Sequence, residues 1–144
     1  MYAHTQYGRI YWIICGPIIL ALWIIAIVHP IPAMTETIVI SIAILIALIL
    51  FGILTVNGDD RELSFHFGLG IIKKRFLYTD IKSAQKVRNH WFWGWGIRWF
   101  GRGWLYNVSG LDAIELSLKN GRALRIGTDE PDRLLAFLTT KIGK

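Results

Sequence analysis

Residues 10–28 read IYWIICGPIILALWIIAIV, and residues 38–56 read IVISIAILIALILFGILTV. Neither run contains Asp, Glu, Lys or Arg, and only His29–Thr37 lies between them. At a helical rise of about 1.5 Å per residue, each run spans about 28 Å, near the ~30 Å hydrocarbon thickness of a bilayer. The first third of the chain is therefore expected to be a transmembrane helical hairpin, residues 10–56, with helices over 10–28 and 38–56. Residues 1–9 are then an N-terminal tail, 57–62 a linker and 63–144 a small domain.

The flanking charges orient the hairpin. Arg9 precedes the first run, and Arg61, Lys73, Lys74 and Arg75 follow the second. The connection carries Glu36 and no Lys or Arg. The positive-inside rule places both termini in the cytoplasm and the connection outside. Tyr2, Tyr7, Tyr11 and Trp12 crowd the start of the first helix, at headgroup depth, and Pro30 and Pro32 stop that helix. A cleaved signal peptide is the rival reading of the first run. Nineteen apolar residues are long for such a segment, and Ile31-Pro32-Ala33 is a poor cleavage site. Cys15 is the only cysteine, so no intrachain disulfide forms.

Beyond the hairpin the apolar period shortens from helical to two. Leu63, Phe65 and Phe67 alternate with polar neighbours, which predicts a strand, and Gly68-Leu69-Gly70 a turn. Further strands are expected over Ile71–Tyr78, Lys82–Arg88, Trp91–Trp99, Trp104–Val108, Asp112–Leu118 and Arg122–Ile126, seven in all. The last pair permits a register test. A two-residue Asn120-Gly121 turn would split the apolar faces. A three-residue loop, with Gly121 left-handed, sets Leu116 opposite Leu124 and Ile114 opposite Ile126. Thr128 or Asp129 is placed to cap a final helix with Pro131 in its first turn, and Leu134, Leu135, Leu138 and Ile142 form its apolar stripe.

Residues 91–104 read WFWGWGIRWFGRGW and hold five of the seven tryptophans. As a strand, this ribbon puts Trp91, Trp93, Trp95 and Trp99 on one face. Three roles compete for it: a core wall, a membrane-facing aromatic edge with Arg98 and Arg102 reaching lipid phosphates, or a base-stacking platform. A membrane tether argues against the last, and no nucleic acid is expected.

From Gly94 onward the text Gly94-Trp95-Gly96-Ile97-Arg98, Gly103-Trp104-Leu105-Tyr106-Asn107-Val108-Ser109-Gly110, Ala113-Ile114-Glu115-Leu116, Asn120-Gly121-Arg122 and Arg125–Pro131 resembles the bacterial pleckstrin-homology-like family. Tyr78-Thr79-Asp80-Ile81 resembles the family's turn into its third strand. The resemblance implies an α+β membrane protein of the bacterial inner membrane. Its soluble part would be a seven-stranded, partly open β-barrel with a C-terminal capping helix.

No nucleophile motif, phosphate loop or metal-ligand spacing is found, so no enzyme and no cofactor are expected. The expected function is a membrane-anchored adaptor that docks a protein partner or a second copy of the chain. The alternatives are an anionic-lipid sensor and an accessory subunit of a membrane complex. The sensor would use Lys73, Lys74, Arg75, Lys82, Lys86 and Arg88, since 15 of the 16 basic residues follow Arg61 or are Arg61 itself.

Overall fold

The computed structural model describes residues 1–28 and 33–142. The connection through His29, Pro30, Ile31 and Pro32, with the helix stop and cleavage site expected there, lies outside the described residues. Two helices, α1 (Arg9–Val28) and α2 (Ala33–Phe51), have the length and composition to cross a membrane. Both are apolar on every side, and among the described residues only Ala26, Thr37 and Leu48 on them are buried.

The remaining elements are β1 (Tyr2–Tyr7), β2 (Ile53–Gly58), β3 (Glu62–Phe67), β4 (Ile72–Leu77), β5 (Ile81–Arg88), β6 (Gly96–Trp99), β7 (Gly103–Asn107), β8 (Asp112–Leu118), β9 (Ala123–Gly127) and a closing helix α3 (Pro131–Lys141). They make two sheets, ordered β1-β2-β3-β4 and β5-β8-β9-β7-β6, and the sheets do not close. The chain is thus α+β, with nine strands among the described residues where the sequence predicted seven.

The two additional strands flank the helices. Residues read as a tail form β1, and it pairs antiparallel with β2 from Tyr2↔Gly58 to Tyr7↔Ile53. The second helix ends at Phe51 and not at Val56, because Gly52 breaks it and Ile53–Val56 enters the sheet. Much of the expected linker is likewise sheet, since β2 runs to Gly58 and β3 starts at Glu62. The helical pair is therefore an insertion between two adjacent strands of one domain, and Gly8 N–H donates to the Gly52 carbonyl at 2.7 Å across its base.

The core lies between the sheets. Leu54, Val56, Leu63, Phe65 and Phe67 of the first meet Tyr106, Ile114, Leu116, Leu124 and Ile126 of the second, and Phe65 packs on Tyr106 at 4.8 Å. Leu116 pairs with Leu124 and Ile114 with Ile126, as the three-residue loop requires, with Gly121 at φ 81°. Leu134 and Leu138 of α3 are fully buried, with Leu135 and Ile142 partly so. Thr128 and Asp129 do not cap α3: Thr128 Oγ1 accepts from Glu130 N–H, and Asp129 bonds His4 instead. This helix closes one open side of the sandwich, where Phe137 stacks on Tyr2 at 5.5 Å and Asp132 accepts from Lys86 at 2.9 Å.

Candidate functional site

The ribbon is not one strand. Gly94 (φ 62°) and Gly96 (φ 100°) take a backbone conformation that breaks the alternation, Trp91–Trp93 forms a single 3₁₀ turn, and only Gly96–Trp99 is extended. Trp91, Trp93, Trp95 and Trp99 therefore do not share a strand face. Nor do they build the core: Trp93 and Trp95 are half-buried, and Trp91 and Trp99 are exposed. Strands β5 and β6 sit at opposite edges of the second sheet, so the segment joining them crosses a face. It crosses the outer one.

A buried polar cluster fastens that crossing. Glu115, 1% exposed, accepts from Arg125 Nε at 2.7 Å, from Arg102 Nη2 at 2.7 Å and from Gln85 Nε2 at 3.1 Å. Arg125 Nη1 donates to Asn89 Oδ1 at 3.0 Å, and its guanidinium lies 4.4 Å from the Phe100 ring centre and 5.6 Å from that of Trp93. Burial alone would push the Glu115 carboxyl up. The hydrogen bond and charge of Arg125, the charge of Arg102 and the Gln85 bond outweigh it and hold the carboxyl below its ordinary value. A carboxylate so fully engaged fastens structure and is not available to exchange protons with a substrate. The composition signalled arginines and rings but not this acid, whose partners Gln85, Arg102 and Arg125 come from three different segments.

The predicted basic contacts do not gather into one patch. Lys73, Lys74 and Arg75 lie on β4, while Lys82, Lys86 and Arg88 lie on β5 in the other sheet. Lys86 is held by Asp132, Arg102 by Glu115, and Arg75 lies 3.8 Å from Glu62. Arg98 is on β6.

Exposed apolar side chains do gather, at the end of the domain from which α1 and α2 emerge. The β3–β4 turn abuts the end of α2: Gly68 N–H donates to Ile53 carbonyl at 2.9 Å, and at φ 44° a Cβ there would fall on the Ile49 carbonyl. This turn presents Leu69 (78% exposed) and Ile71 to the outside. At the same end the Asn89 N–H bonds Leu111 carbonyl, in the β7–β8 loop that packs on Gly8. Trp91 (78% exposed) and Phe92 follow directly.

A cleft of about 840 Å³ lies between β4 and β6, running from Ile72 and Ile97 near that end to Trp99, Asn120 and Arg122 at the other. Register fixes which side chains enter it. Ile72, Lys74 and Phe76 stand opposite the core residues Phe67, Phe65 and Leu63, so all three point inward. From the second sheet Ile97 and Trp99 stand opposite Tyr106 and Trp104 and share the inward face. Trp99 and Trp104 meet edge to face at 5.5 Å yet remain 56% and 47% exposed, because no core residue covers them. Arg122 and Asn120 border the mouth. No family model, curated protein or solved structure matches this chain.

Proposed function

We propose that the chain is a non-enzymatic, membrane-anchored adaptor of the bacterial pleckstrin-homology-like type. In this reading α1 and α2 cross the inner membrane, both termini are cytoplasmic, and the domain presents a protein-docking surface. The observation that carries the anchoring is the pair of helices exposed and apolar on every side. A soluble core helix buries its apolar face, whereas these bury almost nothing within the protein. Leu69, Ile71, Trp91 and Phe92 support it from the domain side, since they ring the base of the hairpin at headgroup depth.

Docking is favoured over lipid sensing because the basic residues are split between sheets and several are already paired. Among the described residues four strand edges lack a paired neighbour, and α3 packs against two of them, β1 and β5, which leaves β4 and β6 open. Unpaired edges are sites where other chains add. The test is purification of the tagged full-length protein from membranes in mild detergent, with mass and composition measured together. A stoichiometric foreign subunit or a defined homo-oligomer supports the adaptor. A lone monomer carrying anionic lipid overturns it in favour of the lipid role.

A further inference from the structure

We infer that the cleft between β4 and β6 receives an extended segment of a partner protein, apolar on its inward side and acidic on its outward side, which pairs with the free edges. The inference rests on the adaptor reading and names its site and the chemistry of its partner.

Both open edges place apolar side chains inward and cations outward, with Lys74 of β4 as an inward exception. On β4, Ile72 and Phe76 point inward with Lys74 between them, while Lys73 and Arg75 point outward, Arg75 at 3.8 Å from Glu62. On β6, Ile97 and Trp99 point inward while Arg98 points outward. A strand laid beside either edge alternates in the same way, so its inward side chains meet the uncovered Trp99 and Trp104 and its outward ones meet cations. No Asp or Glu lines the cleft, and Lys74 and Arg122 within it form no ion pair among the described residues.

The same pattern disfavours other occupants. Pairing β4 with β6, or either edge with a second copy, sets like charges opposite one another. An amphiphile filling the cleft would cover the backbone N–H and C=O groups of both edges without bonding them. The cleft starts at Ile72 and Ile97 near the hairpin and runs to the far ends of its strands. Gly96 lies by Tyr11 of α1, and Trp99 stands about 10 Å further along β6 at ~3.3 Å per residue.

The experiment is fluorescence anisotropy on the full-length protein in mild detergent, with a labelled ten-residue peptide of alternating Glu and Val. Three competitors accompany it: a Lys-and-Val version, the Glu-and-Val peptide N-methylated at alternate residues, and short-chain phosphatidylglycerol. The proposal expects the acidic peptide to bind at least about tenfold tighter than the basic one, and N-methylation to abolish binding by removing edge hydrogen bonds. Arg75→Glu with Arg98→Glu, both at outward-facing positions, is expected to weaken binding about tenfold. Equal binding of the N-methylated peptide, no preference for acid, or displacement by phosphatidylglycerol would overturn it. A foreign subunit that co-purifies while the peptide fails to bind leaves the adaptor standing and removes the cleft as its site.

Discussion

Arg125 Nε donates to Glu115 Oε2 at 2.7 Å on the outer face of the second sheet, beneath the Trp93 and Phe100 rings. This pair is where the segment crossing from β5 to β6 is fastened. Removing one partner leaves the other charge in a site that water barely reaches, which costs about 3 kcal/mol or more. Glu115→Ala is therefore expected to lower stability by about that amount in denaturant unfolding, and Glu115→Gln by less because its amide keeps some of the bonds. Since the folded carboxyl lies below its ordinary value, its contribution is complete above about pH 4.3 and is lost as pH falls through the folded value. Flattening of that acid limb in Glu115→Gln, measured from pH 7 downward, checks the sign.

The alkaline limb has a different owner. Tyr78 is buried, and its hydroxyl donates to the Asp59 carbonyl at 3.1 Å. Burial, and then the charges of Asp59, Asp60 and Glu62, push its phenol up to about 12. A group raised in the folded state stabilises fully below its unfolded value near 10, and that contribution is lost as pH climbs through the folded one. Stability is expected to fall between about pH 10 and pH 12, and Tyr78→Phe to flatten that fall. Ultraviolet titration of phenolate beside unfolding curves measures both.

If the end carrying Leu69, Ile71, Trp91 and Phe92 rests on the bilayer, then Trp91 lies within reach of lipid. In vesicles of brominated lipid, Trp91→Phe is expected to reduce the quenchable share of tryptophan emission. Trp104→Phe, on the far cleft, is expected to leave the quenchable emission unchanged. The reverse ranking would place the cleft against the membrane.

What the sequence disclosed followed from short-range pattern. The β8–β9 register was legible because Leu116, Leu124 and the left-handed Gly121 admit only one loop length that keeps the apolar faces together. The stripe of α3 was legible at helical spacing. Strand β1 was not, because its inner face carries Tyr2, His4 and Gln6, only one of them apolar, and its partner lies some fifty residues on. β2 was hidden by composition: Ile53, Leu54 and Val56 continue the apolar run of α2, and Gly52 with the β-branched residues after it was the one signal of a break. The ribbon misled because Trp–Gly alternation imitates a strand, while glycines at positive φ undo it. The free edges depend on which strands pair, and the order β5-β8-β9-β7-β6, with β7 parallel to β9, follows from no local pattern.

On the proposed reading, α1 and α2 are a membrane hairpin inserted into a domain that is complete without them. Tyr7 stands opposite Ile53, so replacing Gly8–Gly52 with Asn-Gly joins β1 to β2 by a two-residue turn. The decisive measurement is membrane fractionation after an alkaline carbonate wash, run on the full-length and shortened proteins, with circular dichroism of each. The full-length chain is expected to stay in the pellet, and the shortened chain to be soluble, strand-rich and cooperative in unfolding. Release of the full-length chain by carbonate, or an unfolded shortened chain, would contradict that reading.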